Sequence, residues 1–572
     1  PALLPTDICA GCHTVAMSDR WVPTPSPVEP GRWARQVDGA ELDPQVGAYL
    51  REHVGIATPW PMPDVEAAQA AIVPRQGAAV VPDQLLRGIG EAIGAAHVSV
   101  DPLLRTQAAV GASYTDYARR RSGAVTDVPD AVVSPANHEQ TQAVVDLCSD
   151  AGVAVVPWGG GTSVVGGLSL SGPRIAISTR RMRHISELDH DAGLVTVGAG
   201  LTGPALEAAI GLHGFTLGHL PQSWEQATMG GYVATRSAGQ ASSGYGRVAD
   251  MVEGLRLATP RGDWQLGHSP ASAAGPDLLH VAIGSEGRLG VITEVTLRLR
   301  RLPTSRRYEA VIFPRFIDGV AAFRDLAQTG LTADVMRLSD PPETATSLLM
   351  SAPDGLAGTV VRAYMNQRGI TERDGCLAIM GWESSERSLQ ASRRSAAWRV
   401  LRRFGAVTLG AKAGESWRRK RFHGPHLRDT LMDAGYLVET LETATTWSNL
   451  VSLRASIHRS IDHSLTTNST TPYVMTHISH VYDSGASLYT TVIAVANRTD
   501  PVGQWRRTKA EVTDVIMDGG GTVTHHHAVG RDHAPWLNQE IGDIGVDVLR
   551  AIARTLDPQG ICNPGVLFAD SR

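Results

Sequence analysis

The sequence predicts an α+β fold of two domains, the second of them an α/β cap. Three observations lead there. Strand-like apolar runs alternate with helix-spaced segments from about residue 129, as mixed α and β layers require. A glycine-rich loop follows at once on the buried run Val153-Ala154-Val155-Val156. Beyond Pro303 a second alternating series opens at Val311-Ile312-Phe313 and recurs to about residue 515. A chain of 572 residues has room for both, since single cores stop growing at roughly 250–300 residues.

Each element follows from local pattern. Near the start, Cys9-Ala10-Gly11-Cys12-His13 has the CxxCH spacing of a c-type haem attachment site. No signal peptide or haem-sized helical domain accompanies it, so an extension upstream of a natural start at Met17 is the plainer reading. Residues 18–38 read as an irregular arm, and 41–54 as a helix with Leu42, Val46, Tyr49 and Leu50 on one side. Five prolines break up 55–83, and 84–96 is a second helical candidate. Ala131-Val132-Val133 is a short strand, and 137–151 a helix stopped by Gly152. Strands at 174–178 and 194–197, a helix at 203–212, and strand-like runs at 280–283 and 290–299 complete the first domain. In the cap, 317–326 is helical, and the stretch 519–568 returns to Gly- and His-rich motifs.

Composition excludes several classes. A net charge of -5 argues against a nucleic-acid partner. Five cysteines make no disulfide framework, and Cys148, Cys376 and Cys562 read as buried thiols in a reducing cytoplasm. No run of about 18 apolar residues predicts a membrane span; a peripheral membrane contact stays compatible with the sequence.

The strongest signal is Pro157-Trp158-Gly159-Gly160-Gly161-Thr162-Ser163-Val164-Val165-Gly166-Gly167. Consecutive glycines after a strand let successive N–H groups turn around an anion without a cationic side chain. Five glycines in nine residues cost chain entropy that a turn without a ligand would not repay. A second cluster spans Thr228, Gly230, Gly231, Ala234, Thr235, Ser237 and Gly239, and a third runs from Gly284 through Glu286 and Gly290 to Val291 and Ile292.

These three clusters, in this order, resemble the FAD-binding domain of the vanillyl-alcohol-oxidase (PCMH-type) superfamily. The resemblance implies FAD as cofactor, with the pyrophosphate on Pro157, Trp158, Gly159, Gly160, Gly161, Thr162, Ser163 and Gly166. The flavin would lie near Ser223, Thr228, Gly230, Gly231, Ala234, Thr235, Ser237 and Gly239, with Glu286, Gly290, Val291 and Ile292 beside it. Many members attach FAD to a histidine where this chain has Thr162, so non-covalent FAD is expected. The implied division is an N-terminal extension over 1–128, the FAD domain over 129–302, the cap over 303–515, and a segment over 516–572 that completes the flavin site.

Further stretches at 223–246, 417–429, 481–489 and 524–530, with Trp536-Leu537, resemble alkyldihydroxyacetonephosphate synthases. Such an enzyme exchanges the acyl group of acyl-dihydroxyacetone phosphate for a fatty alcohol through a flavin N5 adduct, with no net redox change. An FAD-linked oxidase or dehydrogenase of a hydroxy acid or alcohol is the alternative. His525, His526 and His527 bring imidazoles that titrate near neutrality. Tyr489 stands where the family has its acid/base tyrosine; a buried phenol near a flavin can exchange a proton if cationic neighbours lower its pKa. Arg337, Arg419, Arg421 and Arg428 are the candidates for phosphate capture, because a guanidinium offers a planar fork. No metal is expected, since no carboxylate at ligand spacing accompanies the histidines. The partner is a small, lipid-like substrate, and a homodimer is implied.

Overall fold

The computed structural model describes residues 14–15, 42–61, 81–123, 125, 128–170, 172–267, 269–351, 363, 365–371, 373–467 and 470–568. The CxxCH segment, Met17 and the arm at 18–38 lie outside the described residues.

Three sheets carry the fold. The first orders Val98–Ser99, Ala131–Val133, Arg174–Ser178 and Ala154–Trp158 side by side. Its last three strands are parallel, and the helix His138–Asp150 connects two of them, capped by Asn137 at Gln140. Their alternate residues Val133, Val155, Ile175 and Ile177 are all fully buried, as parallel strands covered on both faces must be. The C-terminal tail returns to this sheet: Val155 donates to Ile561 O and Asn563 donates to Val155 O.

The second sheet is antiparallel, with Ile185–Asp189, Leu194–Gly198, Val291–Arg298, Val252–Thr259 and Gly262–Leu266 in sequence across it, and Thr14–Val15 on its edge. Val291 packs into the core of the first sheet, whereas Ile292 and Val295 pack beneath the helices Gly203–Gly211 and Met229–Ala234. The third sheet has seven antiparallel strands in the order Val407–Gly410, Ser305–Phe313, Cys376–Ser384, Val335–Ser339, Tyr473–Ile478, Gly485–Val495 and Tyr436–Thr446. One face of it buries Trp382 and Phe313 against the helices Phe316–Gln328, which contributes Phe323, and Arg387–Arg403.

Two sequence expectations need correction. Residues 280–283 are helical rather than extended: Leu278–Ala282 is a short helix whose first turn is capped by Asp277 at His280 N. The capping side chain, which the apolar run does not reveal, decides this. Val311-Ile312-Phe313 ends a strand rather than starting one, because Ser305–Phe313 pairs along its whole length with Cys376–Ser384. No helix of the described residues is long and apolar enough to cross a membrane.

Candidate active site

The glycine loop leaves the first sheet at Trp158, directly beside Ser178 of the neighbouring strand. A Cβ on Gly160 would strike the backbone of Gln226 and stand 2.8 Å from Ala227 Cα, and one on Gly159 would strike Thr228 Oγ1. The first and second glycine clusters therefore touch backbone to backbone, and only glycine permits that approach. Gly161 and Gly166 are left-handed, at φ 72° and 70°. Among the described residues the N–H groups of Gly160, Gly161, Thr162 and Ser163 find no acceptor. Trp158 Nε1 and Thr179 Oγ1, both buried beside the loop, are also unpaired. Buried donors without partners are costly, and a row of them is what a pyrophosphate needs. The residues present fit FAD.

The loop's flanks are held from outside. Ala112 N donates to Ser163 O, Arg531 donates to the carbonyls of Gly166 and Gly167, and Gly167 N donates to Ser163 Oγ. In the second cluster Thr228 caps its helix at Gly231 N, Thr235 Oγ1 bonds Gly231 O, and Ser223 O receives Gln226 N. Gly230 packs on Ala199, and Gly239 leaves no room for a Cβ against Leu220. Ser237 Oγ bonds His219 Nε2 at 2.7 Å; that ring is buried, its Nδ1 is unpaired, and burial pushes its pKa down to about 3. Ala234 is half-buried next to these groups.

Several expected cofactor residues make contacts within the protein. Pro157 packs against Gly287. Gly290 keeps φ 133° with no space for a Cβ under Ala258, and Val291 and Ile292 are core residues on opposite faces of the sheet. Glu286 sits at φ 50° and accepts from Val529 N at 2.9 Å and Gly530 N at 2.9 Å. Its carboxylate thus clamps the C-terminal segment, and burial raises its pKa to about 7.

That segment is the histidine turn. Glu442, from the strand Tyr436–Thr446, is 1% exposed at its side chain. It accepts from Thr524 Oγ1 at 2.6 Å, His525 N at 2.7 Å, His526 N at 3.1 Å and His527 N at 2.9 Å. Burial works against its charge. The imidazoles around it, His526 first, outweigh that and hold the carboxyl well below its ordinary range. His525 bonds Tyr482 OH through Nε2 at 2.7 Å and faces His526 Nδ1 across 2.9 Å. Burial lowers His525 and His527 to about 3, so both are neutral at pH 7.

Glu442 is registered opposite Tyr489 across the sheet, which puts the tyrosine ring among the imidazoles. It stacks on His477 at 4.9 Å and on His526 at 6.0 Å, and meets His527 edge-on at 5.7 Å. The tyrosine pKa is raised rather than lowered. Burial raises it; Thr440's hydrogen bond and Arg428 only partly offset that, and Glu439 and Glu442 add to it. The group is a protonated phenol beside the neutral imidazole of His527, an arrangement that can deliver one proton and accept another.

His480, His525 and His526 each present a nitrogen within 4.8 Å of the others. The rings already use these atoms: His480 bonds Gly239 O through Nε2 and Ser479 and Ser487 through Nδ1. The first of these bonds ties the histidine cluster to the second glycine cluster.

The arginines divide. Arg428 donates to Ala112 O and lies 4.5 Å over the Tyr117 ring, with a buried Nε left unpaired. Arg337 pairs with Glu343 and bonds His477 at 3.0 Å. Arg421 reaches Tyr308 OH at 3.5 Å and keeps a buried Nε unpaired. Arg419 does not join them: it is exposed at the end of the helix Ala411–Lys420, while Arg418 pairs with Glu415. Sequence reasoning missed Glu442, His477, His480 and Tyr482. An acidic residue inside the apolar strand run of 436–446 was the available signal for the first.

Family models agree with this geometry: "FAD binding domain" matches residues 129–266, and "FAD linked oxidases, C-terminal domain" matches 302–567. A curated alkyldihydroxyacetonephosphate synthase of Dictyostelium discoideum is 32% identical over 476 residues, covering 82% of this chain and 78% of its own. A solved alkyldihydroxyacetonephosphate synthase superposes with a TM-score of 0.77 at 26% identity, covering 91% of this chain and 92% of that one. A solved p-cresol methylhydroxylase superposes at 0.67 with 16% identity, covering 87% of this chain and 99% of that one, and shares the fold. The chain is an FAD-dependent enzyme of the vanillyl-alcohol-oxidase fold and belongs to the alkyldihydroxyacetonephosphate synthase family.

Proposed function

We propose that this chain exchanges the acyl group of an acyl-dihydroxyacetone phosphate for a fatty alcohol. The observation that carries the reading is the packing of Tyr489 with His477, His526 and His527, the last two held at the buried carboxylate of Glu442. The exchange breaks the bond from C1 to the acyl oxygen, releases a fatty acid, and forms a C1–O bond to the alcohol. A C1 proton must leave and return, and the alcohol must give up its own.

Bound FAD would supply an electrophilic ring for this chemistry. The chain's residues handle protons and charge. One of His525, His526 and His527 takes the C1 proton, His525 and His527 being neutral at pH 7, and Tyr489, held as a phenol by burial, donates in the opposite step. Arg428 and Arg337 hold the phosphate, and Arg421 lies beside the second glycine cluster through its carbonyl bond to Gln240. FAD is held without a covalent bond, because Thr162 offers no nucleophilic ring nitrogen. The 129–302 region carries the cofactor, 303–515 the substrate, and 516–572 closes the site. A homodimer with a peripheral membrane contact completes the proposal, since an apolar alcohol partitions into bilayers.

The test is product analysis of purified protein given palmitoyl-dihydroxyacetone phosphate and a long-chain alcohol. Equimolar fatty acid and ether-linked product are expected. Turnover of hydroxy acids with no such exchange would overturn the reading.

A further inference from the structure

We infer that Arg180 is a cofactor-binding residue of this chain, its guanidinium serving as counter-ion to the FAD pyrophosphate held in the glycine loop. The inference rests on FAD binding at that loop.

The placement follows from the first sheet. The strand Arg174–Ser178 runs parallel to Ala154–Trp158, with Ser178 registered against Trp158. Each strand ends at the same level, so the chain beyond Ser178 emerges beside the glycine loop. Arg180 is the second residue past that point. Its Nε donates to Gly159 O at 3.0 Å, its Nη2 to Gly160 O at 3.4 Å, and its guanidinium lies 4.3 Å over the Trp158 ring.

Two carbonyls and an aromatic face do not neutralise a cation. No carboxylate pairs with Arg180 among the described residues, and burial is the sole cause that lowers its pKa. Arg180 is half-buried, and a charge withdrawn even partly from water is costly without something of opposite sign beside it. The surroundings say what arrives. The N–H groups of Gly160, Gly161, Thr162 and Ser163 have no acceptor, and the buried Trp158 Nε1 and Thr179 Oγ1 are unpaired. Every orphan at this spot is a donor or can act as one, so the missing group is an acceptor and an anion. The contact has a second effect. By holding the Gly159 and Gly160 carbonyls, Arg180 fixes the loop in the conformation whose N–H groups are free.

The experiment is flavin-fluorescence titration of the apoprotein with FAD, for the wild type, Arg180→Gln and Arg180→Lys. ADP, which carries the pyrophosphate, and riboflavin, which lacks it, are used as competitors. A charge-assisted contact of this kind corresponds to roughly 10–100-fold in affinity. Arg180→Gln should weaken FAD and ADP by that factor and leave riboflavin within about twofold, and Arg180→Lys should recover part of the loss. Equal weakening of all three ligands would mean that Arg180 only shapes the loop, and would overturn the inference. Unchanged FAD affinity in Arg180→Gln would overturn it too. A wild-type chain that bound neither FAD nor riboflavin would instead remove the cofactor reading, and this inference with it.

Discussion

Replacing Glu442 by glutamine removes one charge from the centre of the site and changes the shape of the side chain least. The structure sets the size of the effect. Oε1 accepts from Thr524 Oγ1, His526 N and His527 N, and Oε2 accepts from His525 N. An amide oxygen can take over the three bonds at Oε1, but each falls from charge-assisted to neutral strength, a loss of about 1 kcal/mol apiece. The amide nitrogen then faces His525 N–H donor to donor, and that buried N–H loses its partner at a cost of about 1–3 kcal/mol. The sum, about 4–6 kcal/mol, overlaps the cost of breaking a buried pair, about 3–5 kcal/mol. Urea denaturation of the holoenzyme should show this loss. Turnover should fall by roughly 100-fold or more, since a displacement of about 1 Å in the His525–His527 turn is enough to misplace a base. Glu442→Asp should keep the charge and part of the stability. A glutamine variant with wild-type stability and wild-type turnover would refute the role of this carboxylate as the anchor of the histidines.

Other predictions follow from the same geometry. Tyr489→Phe should keep FAD and lose roughly 100-fold or more in turnover, measured as alcohol incorporation, with a stability change of about 1 kcal/mol. Gly160→Ala places a methyl against the 226–227 backbone and should weaken FAD retention by about 1–3 kcal/mol on gel filtration and titration. Gly211→Ala, with nothing within 4 Å, should leave it unchanged. His527 is held neutral to about pH 3, while in the unfolded chain it takes a proton below about pH 6.5. The unfolded state therefore binds the extra proton, and stability is lost as pH falls. His527→Gln should escape that loss, gaining on wild type by about 1.4 kcal/mol per pH unit between pH 6 and 4 in urea titrations. Arg428→Ala should abolish saturation by the phosphate substrate, while Arg419→Ala, on an exposed side chain, should change KM by less than about twofold.

What the sequence made legible was what is local. The glycine loop announced itself because φ > 0 and close backbone approach select one residue type, and the strand before it is uniformly apolar. The strands Ala131–Val133 and Arg174–Ser178 and the helix Gly203–Gly211 were readable for the same reason: burial on both faces or one gives a short-range pattern. The pattern Leu278-Leu279-His280-Val281-Ala282-Ile283 fits either period, and a single Asp277 side chain decides between them. The site was half legible. Three adjacent histidines and Tyr489 could be picked out, but the residue that organises them, Glu442, lies more than eighty positions away. Only the pairing of Tyr436–Thr446 with Gly485–Val495 brings it opposite Tyr489. The direction of the Tyr489 pKa was not legible either, because a sequence does not show how deeply the phenol is buried. The carboxylate of Glu286 is directed to Val529 and Gly530 by tertiary contacts that local pattern cannot contain.

The most direct test of the central claim is the absorbance spectrum of the bound flavin, recorded without oxygen during turnover. With acyl-dihydroxyacetone phosphate and a long-chain alcohol, fatty acid should accumulate while the oxidised flavin band returns fully once substrate is exhausted. Lasting bleaching by a hydroxy acid, without any fatty acid released from the acyl substrate, would contradict the account and identify a dehydrogenase on the same fold.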